Sequence, residues 1–214
     1  FNHGYIFSCN YDGSDYRLEL EGPVVNDMVF DSKGGYYYTN FTGNISEQTG
    51  SVIYVTPDHK QQIPLLGHLA SPNGLTLSKD EKVVWVTESN AMRLLRITLV
   101  PDGGPVDITP FGMRVVYSFM GGGVCDSCEI DDDDNLYVAM YQQGRILVFN
   151  SFGWPIGQVL LAGRERGEHL LSTHCVIRPG TNELYICTND PVHGAWIFKA
   201  GAYTTSSLES LHIH

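Results

Sequence analysis

The sequence is poor in positive charge and has no long apolar run. Its 214 residues include 13 Lys and Arg against 24 Asp and Glu, a net charge of −11. Such a chain lacks the basic surface that attracts phosphate backbones and anionic membranes, so we expect neither nucleic acid nor a membrane as a partner. No stretch approaches the about 18 consecutive apolar residues of a membrane-spanning helix.

Cysteine is sparse and odd in number, five in all, which excludes a disulfide framework. Cys125 and Cys128 form a CxxC motif, but no second CxxC or His pair follows at zinc spacing, and a strand rather than a helix is predicted next. We therefore favour two small buried residues flanking Asp126 and Ser127 over a zinc or redox site. A reducing cytoplasm is the expected compartment.

Helical periodicity is nowhere sustained over about 11 residues. Instead, four segments repeat one plan: an apolar run, a polar turn and a second β-rich run. The second runs begin near Tyr36, Val83, Leu136 and Leu184, at spacings of 47, 53 and 48 residues. About 50 residues per repeat is typical of a β-propeller blade, so we predict an all-β single domain over residues 1–214. A partial unit at residues 5–20 raises the total to roughly four and a half blades.

Short polar side chains stand just before the first strand of each repeat, the strand that lines the channel of a propeller. Amide and carboxylate oxygens that converge there suit a hard cation such as Ca²⁺. Taken singly, each is also an ordinary turn residue. Because such residues recur at the same position in three repeats, a cation site is favoured. His174 is more typical of a hydrogen-bonded channel residue than of a ligand. The side chains in question are Asn26, Asp27, Asn73, Asp126, Ser127 and His174.

Several motifs spread over the four repeats are familiar together: Asn26–Asp31, Asp31–Gly35, Ser71–Lys82, Val86–Glu88, Pro110–Gly112, Asp126–Ser127, Asn135–Tyr141 and Ser172–His174. In these motifs the sequence resembles the gluconolactonase, regucalcin and senescence-marker-protein (SMP-30) family, and within it the drug-responsive lactonase branch. The resemblance implies a six-bladed β-propeller, here truncated at its N-terminus to roughly four to five blades of about 50 residues each. It also implies calcium-dependent hydrolysis of small lactones.

The family pattern assigns roles to particular residues of this sequence. Asn26, Asn73 and Asp126 match its metal ligands, Ser127 assists them, and Asp126 matches its catalytic acid–base. We expect Asn26, Asp27, Tyr141 and His174 to contact the lactone. Mg²⁺ and Mn²⁺ accept the same oxygen ligands and stay open as alternatives.

Two departures from the family pattern bear on the site. The Glu ligand that family members carry in their first blade has no counterpart, and we expect about a hundred residues to be missing before Phe1, enough for that blade and part of the next. The close branch has an acid where Asn26 stands, so Asp126 is the one anionic ligand expected here, which lowers the affinity for a cation. A non-catalytic calcium- or partner-binding propeller, or an inactive fragment, is therefore the alternative. The oligomeric state is left open.

Overall fold

The protein is described by a computed structural model that covers residues 4–100 and 108–207. Within these ranges the chain forms 17 β-strands, and a 3₁₀ turn at Arg164–Arg166 is the helical element. The predicted all-β class is therefore confirmed. The single domain over 1–214 stays a prediction, since part of that range lies outside the described residues.

The strands form four antiparallel sheets and one hairpin, each built from consecutive strands. The hairpin pairs β1 (Tyr5–Ser8) with β2 (Arg17–Glu21). The first blade contains β3 (Val25–Phe30), β4 (Tyr36–Asn40), β5 (Gly50–Val55) and β6 (Gln62–Leu69). The second contains β7 (Pro72–Leu77), β8 (Val83–Glu88), β9 (Arg93–Leu99) and β10 (Ile108–Ser118). The third contains β11 (Val124–Ile130), β12 (Leu136–Tyr141), β13 (Arg145–Phe149) and β14 (Pro155–Leu160). The fourth contains β15 (Ser172–Ile177), β16 (Thr181–Asp190) and β17 (Gly194–Ser206).

The predicted repeat agrees with these strands. The second runs expected at Tyr36, Val83 and Leu136 are the first residues of β4, β8 and β12. In the fourth blade β16 begins at Thr181, earlier than the predicted Leu184, because it pairs with the long strand β17. Four blades and a hairpin fall within the predicted four to five; the six-bladed ring stays a prediction.

Apolar side chains fill the spaces between neighbouring blades. One core, which includes Val52 and Val86, lies between the first and second blades. A second, around Trp85 and Ile130, lies between the second and third. A third, around Ile186, joins the third blade to the fourth. Because a blade cannot bury both of its faces alone, this stacking is what makes the repeats stable.

The first strand of each blade lies innermost, and these strands pack side by side. β11 packs against both β7 and β15, and β3 packs against β7. Each inner strand has an irregular register near its start. This arrangement brings the beginnings of four strands, and the polar residues they carry, to one end of the shared axis. Among the described residues, no helix has the length and hydrophobicity to cross a membrane; the cytoplasmic location stays a prediction.

Candidate functional site

The irregularities at the start of the inner strands are β-bulges, and they contain the residues that the sequence singled out. In each of the first three blades two residues stand opposite one residue of the next strand, which re-aims the side chains of the bulged pair. The bulged pairs are Asn26–Asp27 in β3, Asn73–Gly74 in β7 and Asp126–Ser127 in β11. In the fourth blade the extra residue is Thr173, just before His174.

Asp27 connects three blades through its carboxylate. Oδ1 accepts a hydrogen bond from Met28 N at 2.9 Å, and Oδ2 accepts one from Leu75 N of the second blade at 3.3 Å. The Ser127 side chain, from the third blade, also hydrogen-bonds to this carboxylate. Burial raises the pKa of Asp27 to about 6, although these hydrogen bonds act in the opposite direction. Asp27 thus ties the three bulges together.

Asp126 and Asn73 are neighbours at the same end of the channel. Burial raises the pKa of Asp126 to about 6, while hydrogen bonds from the backbone of Ser127 and from the Asn73 side chain lower it. Asp126 Oδ1 accepts the bond from Ser127 N at 3.0 Å. Asn73 is only 5% exposed, and its Oδ1 has no hydrogen-bond partner among the residues that the structure describes. A buried amide oxygen without a partner costs free energy, so it marks a place where a ligand is stabilising.

Glu129 adds a third carboxyl that sequence reasoning missed. It lies on β11 two residues after Ser127, and burial raises its pKa to about 8, with the charge of Asp27 adding to the rise. The charge of Asp27 also contributes to the raised pKa of Asp126. The charge of Asp27 thus opposes the ionisation of both Asp126 and Glu129, and a positive charge nearby would stabilise the ionised forms. The signal available in the sequence was an acid between the apolar residues Cys128 and Ile130, at the register where the other inner strands carry Val29, Thr76 and Val176.

The other three predicted residues lie on β3, β12 and β15. Asn26 is exposed, beside Asp27 in the same bulge. Tyr141 is half-buried at the end of β12, where its backbone bridges to Leu171 ahead of the fourth blade. His174 is half-buried on β15, and burial lowers its pKa, which favours a neutral imidazole.

Two threonines stand opposite the bulges and also went unnoticed in the sequence. Thr39 Oγ1 accepts a hydrogen bond from Asp27 N at 3.1 Å and donates one to the backbone carbonyl of Asn73 at 2.6 Å. Thr87 Oγ1 accepts a hydrogen bond from Gly74 N at 2.8 Å and donates one to the backbone carbonyl of Asp126 at 2.6 Å. Each hydroxyl therefore joins the bulge of its own blade to the bulge of the next.

The cysteines of the CxxC motif are structural, as the sequence favoured. Cys125 and Cys128 are buried in the core between the second and third blades, and both thiols are free. Burial raises the pKa of Cys125 to about 12, which leaves it a neutral, inert thiol.

The donor atoms of the four predicted metal ligands, Asn26, Asn73, Asp126 and Ser127, are oxygens. Across the described residues, no three His, Cys, Asp or Glu side chains gather tightly enough to hold a metal ion. The predicted ligand set contains one carboxylate, two amides and a hydroxyl, so it differs in kind from such a cluster. Oxygen donors and the partnerless Asn73 Oδ1 fit a hard cation such as Ca²⁺ and do not fit zinc.

The fold and the site together define a class: a β-propeller of at least four blades with an oxygen-rich polar site at one end of its inner strands. The family model described as "SMP-30/Gluconolactonase/LRE-like region" matches residues 13–190. The chain therefore belongs to the SMP-30/gluconolactonase family, which confirms the resemblance read from its motifs.

Curated relatives and solved structures agree with this membership. The chain is 49% identical over 207 residues to lactonase drp35 of Staphylococcus saprophyticus, covering 94% of this chain and 63% of that protein. It is 55% identical over 191 residues to lactonase drp35 of Staphylococcus aureus strain MRSA252, covering 87% of this chain and 58% of that protein. The chain thus spans about three fifths of the length of these relatives.

The solved structures show the fold. A luciferin-regenerating enzyme superposes with a TM-score of 0.71 at 19% identity, covering 94% of this chain and 73% of its own. Regucalcin from Agrobacterium tumefaciens, described as a calcium-binding protein, superposes with a TM-score of 0.66 at 18% identity, covering 89% of this chain and 65% of its own.

Proposed function

We propose that this chain carries the site of a calcium-dependent lactonase, an enzyme that hydrolyses the ester bond of small lactones. The observation that carries the proposal is the buried Oδ1 of Asn73, which has no partner among the described residues and lies beside Asp126. The names of the staphylococcal relatives support the lactonase assignment, and that of the Agrobacterium neighbour supports the calcium. The chain spans about three fifths of the length of these lactonases, and that it has their activity is proposed.

The cation would be held by oxygens from three bulges: the amides of Asn26 and Asn73, the carboxylate of Asp126 and the hydroxyl of Ser127. When bound there, Ca²⁺ supplies a Lewis acid for the lactone carbonyl and stabilises the negative charge that develops on its oxygen. Mg²⁺ and Mn²⁺ bind the same kinds of atoms and are the alternatives to be tested.

Asp126 is proposed as the acid–base. It takes a proton from the water that attacks the carbonyl carbon, and it returns a proton to the alkoxide that leaves when the ring C–O bond breaks. A pKa of about 6 suits this exchange near neutral pH. A bound cation lowers the proton affinity of a carboxylate. In the alternative mechanism, Asp126 therefore stays ionised and Asn26 orients the water that attacks the lactone.

The other residues are proposed to bind and orient the substrate. Asp27 fixes the spacing of the three bulges, and through them the distance between the carbonyl and the attacking water. Tyr141 and His174 are proposed to contact the lactone from the third and fourth blades, where a neutral imidazole favours an uncharged substrate.

The test is hydrolysis of a simple aromatic lactone in a pH-stat, before EDTA, after EDTA and after Ca²⁺ is restored. We expect activity to disappear with the chelator and return with calcium. Asp126→Asn should abolish turnover, whereas Asp133→Asn, in the exposed turn of the same blade, should not change it. Activity that survives EDTA would refute the calcium dependence. Calcium binding by calorimetry without hydrolysis would instead establish the non-catalytic binding propeller.

A further inference from the structure

We propose that Thr87 is a positioning residue, whose hydroxyl holds the Asp126 bulge at the correct distance from the Asn73 bulge. The inference rests on the proposed function, because it concerns the same calcium site. It adds a residue that is neither a ligand nor an acid–base. Thr87 is 0% exposed, so its hydroxyl bonds only within the protein.

The contacts of Thr87 meet a need that the bulges create. A bulge leaves backbone groups unpaired in the strand ladder. The Thr87 hydroxyl satisfies one such group in each of two blades, since it accepts from Gly74 N and donates to the Asp126 carbonyl. A β-branched side chain has few rotamers, so the hydroxyl fixes the separation of the two peptides.

The pattern across the blades points to the site. Thr39 makes the same pair of hydrogen bonds, accepting from Asp27 N and donating to the backbone carbonyl of Asn73. The two bridges therefore occur at the two junctions that join the three ligand-bearing bulges. The corresponding residue of the third blade, opposite the Asp126–Ser127 bulge, is Ala139, which has no hydroxyl to offer the fourth blade. No ligand is proposed on the fourth blade.

A neighbouring contact strengthens the hold on the third blade. Ser89 Oγ, also buried, donates to the carbonyl of Cys125 at 2.5 Å. Consecutive carbonyls of β11 thus accept hydrogen bonds from Thr87 and Ser89 of the second blade. The backbone of the Asp126 bulge is therefore fixed by two hydroxyls of the second blade.

The experiment compares Thr87→Val, which keeps the shape and removes the hydroxyl, with Thr87→Ser, which keeps the hydroxyl. The control is Thr188→Val, because Thr188 is buried on the fourth blade and its Oγ1 has no hydrogen-bond partner among the described residues. Calcium affinity is measured by titration calorimetry, kcat and KM by pH-stat, and Tm by circular dichroism.

Removal of an outer hydrogen-bond partner of a metal site typically costs 10- to 100-fold in affinity or activity, and we expect about that loss of calcium affinity in Thr87→Val. Thr87→Ser should restore most of the affinity, and Thr188→Val should bind calcium as the unaltered chain does. If Thr87→Val does not fold, Thr39→Val is measured with the same expectation.

Two outcomes separate the inference from the proposed function. Unaltered protein that binds no Ca²⁺ overturns both. Unaltered protein that binds Ca²⁺, with Thr87→Val of equal affinity even at a lowered Tm, overturns only the positioning role and leaves Thr87 a structural residue.

Discussion

Replacement of Gly74 should disturb the candidate site, because a Cβ there has no space. In Gly74→Ala the new carbon would lie 2.5 Å from Ser127 Cα, 2.6 Å from Cys128 N and 2.7 Å from Ser127 C. These are backbone atoms of the third blade, which cannot rotate away as a side chain can. Normal carbon contacts are about 3.5–4.0 Å, so the strands β7 and β11 must separate by about 1 Å.

The separation has two consequences of calculable size. Overpacking a close-packed site costs about 1–3 kcal/mol. At about 2–4 °C per kcal/mol for a chain of this length, Tm should fall by about 2–12 °C. The displaced residues include Ser127 and, through the chain, Asp126. A misplacement of about 1 Å at reacting groups can cost about 100-fold in rate, so kcat/KM should fall by about that factor.

Thermal unfolding and pH-stat hydrolysis test this directly. Gly67→Ala is the matched control, since Gly67 lies on β6 and a Cβ there meets nothing within 4 Å. We expect the control to keep both Tm and kcat/KM. If Gly74→Ala matched Gly67→Ala in both measurements, the close approach of β7 to β11 and its importance for the site would be wrong.

Three further predictions concern stability. Arg93→Met should lower the free energy of unfolding, measured with urea, by about 3 kcal/mol. Glu88 is 0% exposed and pairs with Arg93 at 2.6 Å, so the substitution leaves a buried charge without its ion-pair partner. A loss under about 1 kcal/mol would contradict this. Trp85→Ala should lower the free energy of unfolding by about 3–5 kcal/mol in the same assay, since Trp85 is 1% exposed between two blades. A negligible change would mean that the core collapses to fill the space. Hydrogen bonds from the backbone and ring of His193 lower the pKa of Asp190, so its stabilisation is complete above the ordinary carboxyl pKa of about 3.9 and is lost as pH falls through the lower folded value. Asp190→Asn should therefore reduce Tm at pH 7 and flatten its acid dependence, and parallel Tm–pH curves would refute the assignment.

Much of the fold could be predicted because its signals are local. Alternating apolar residues and turn residues define a strand within a few positions, which is why Tyr36, Val83 and Leu136 agree with the observed strand starts. The start of β16 could not be predicted equally well, since its extra residues pair with a distant part of β17. Strand ends depend on the partner that a neighbouring strand supplies.

The candidate site divides in the same way. Asn26, Asn73 and Asp126 could be found because they recur at one phase of the repeat, and the structure places each in a bulge at the start of an inner strand. Thr39 and Thr87 could not, since a threonine in a strand is an ordinary β-former. What distinguishes them is a carbonyl in the next blade, more than 30 residues away along the chain.

The sequence by itself determined the period of the repeat, the β class, the family and the amino acids that stand at the start of each inner strand. These follow from short-range pattern and composition. The tertiary structure decided which of those residues touch, that Asn73 buries an oxygen without a partner among the described residues, and that Gly74 has no room for a side chain. These properties depend on the packing of one blade against the next, and burial sets the pKa values of Asp27, Asp126 and Glu129 only after the blades have come together.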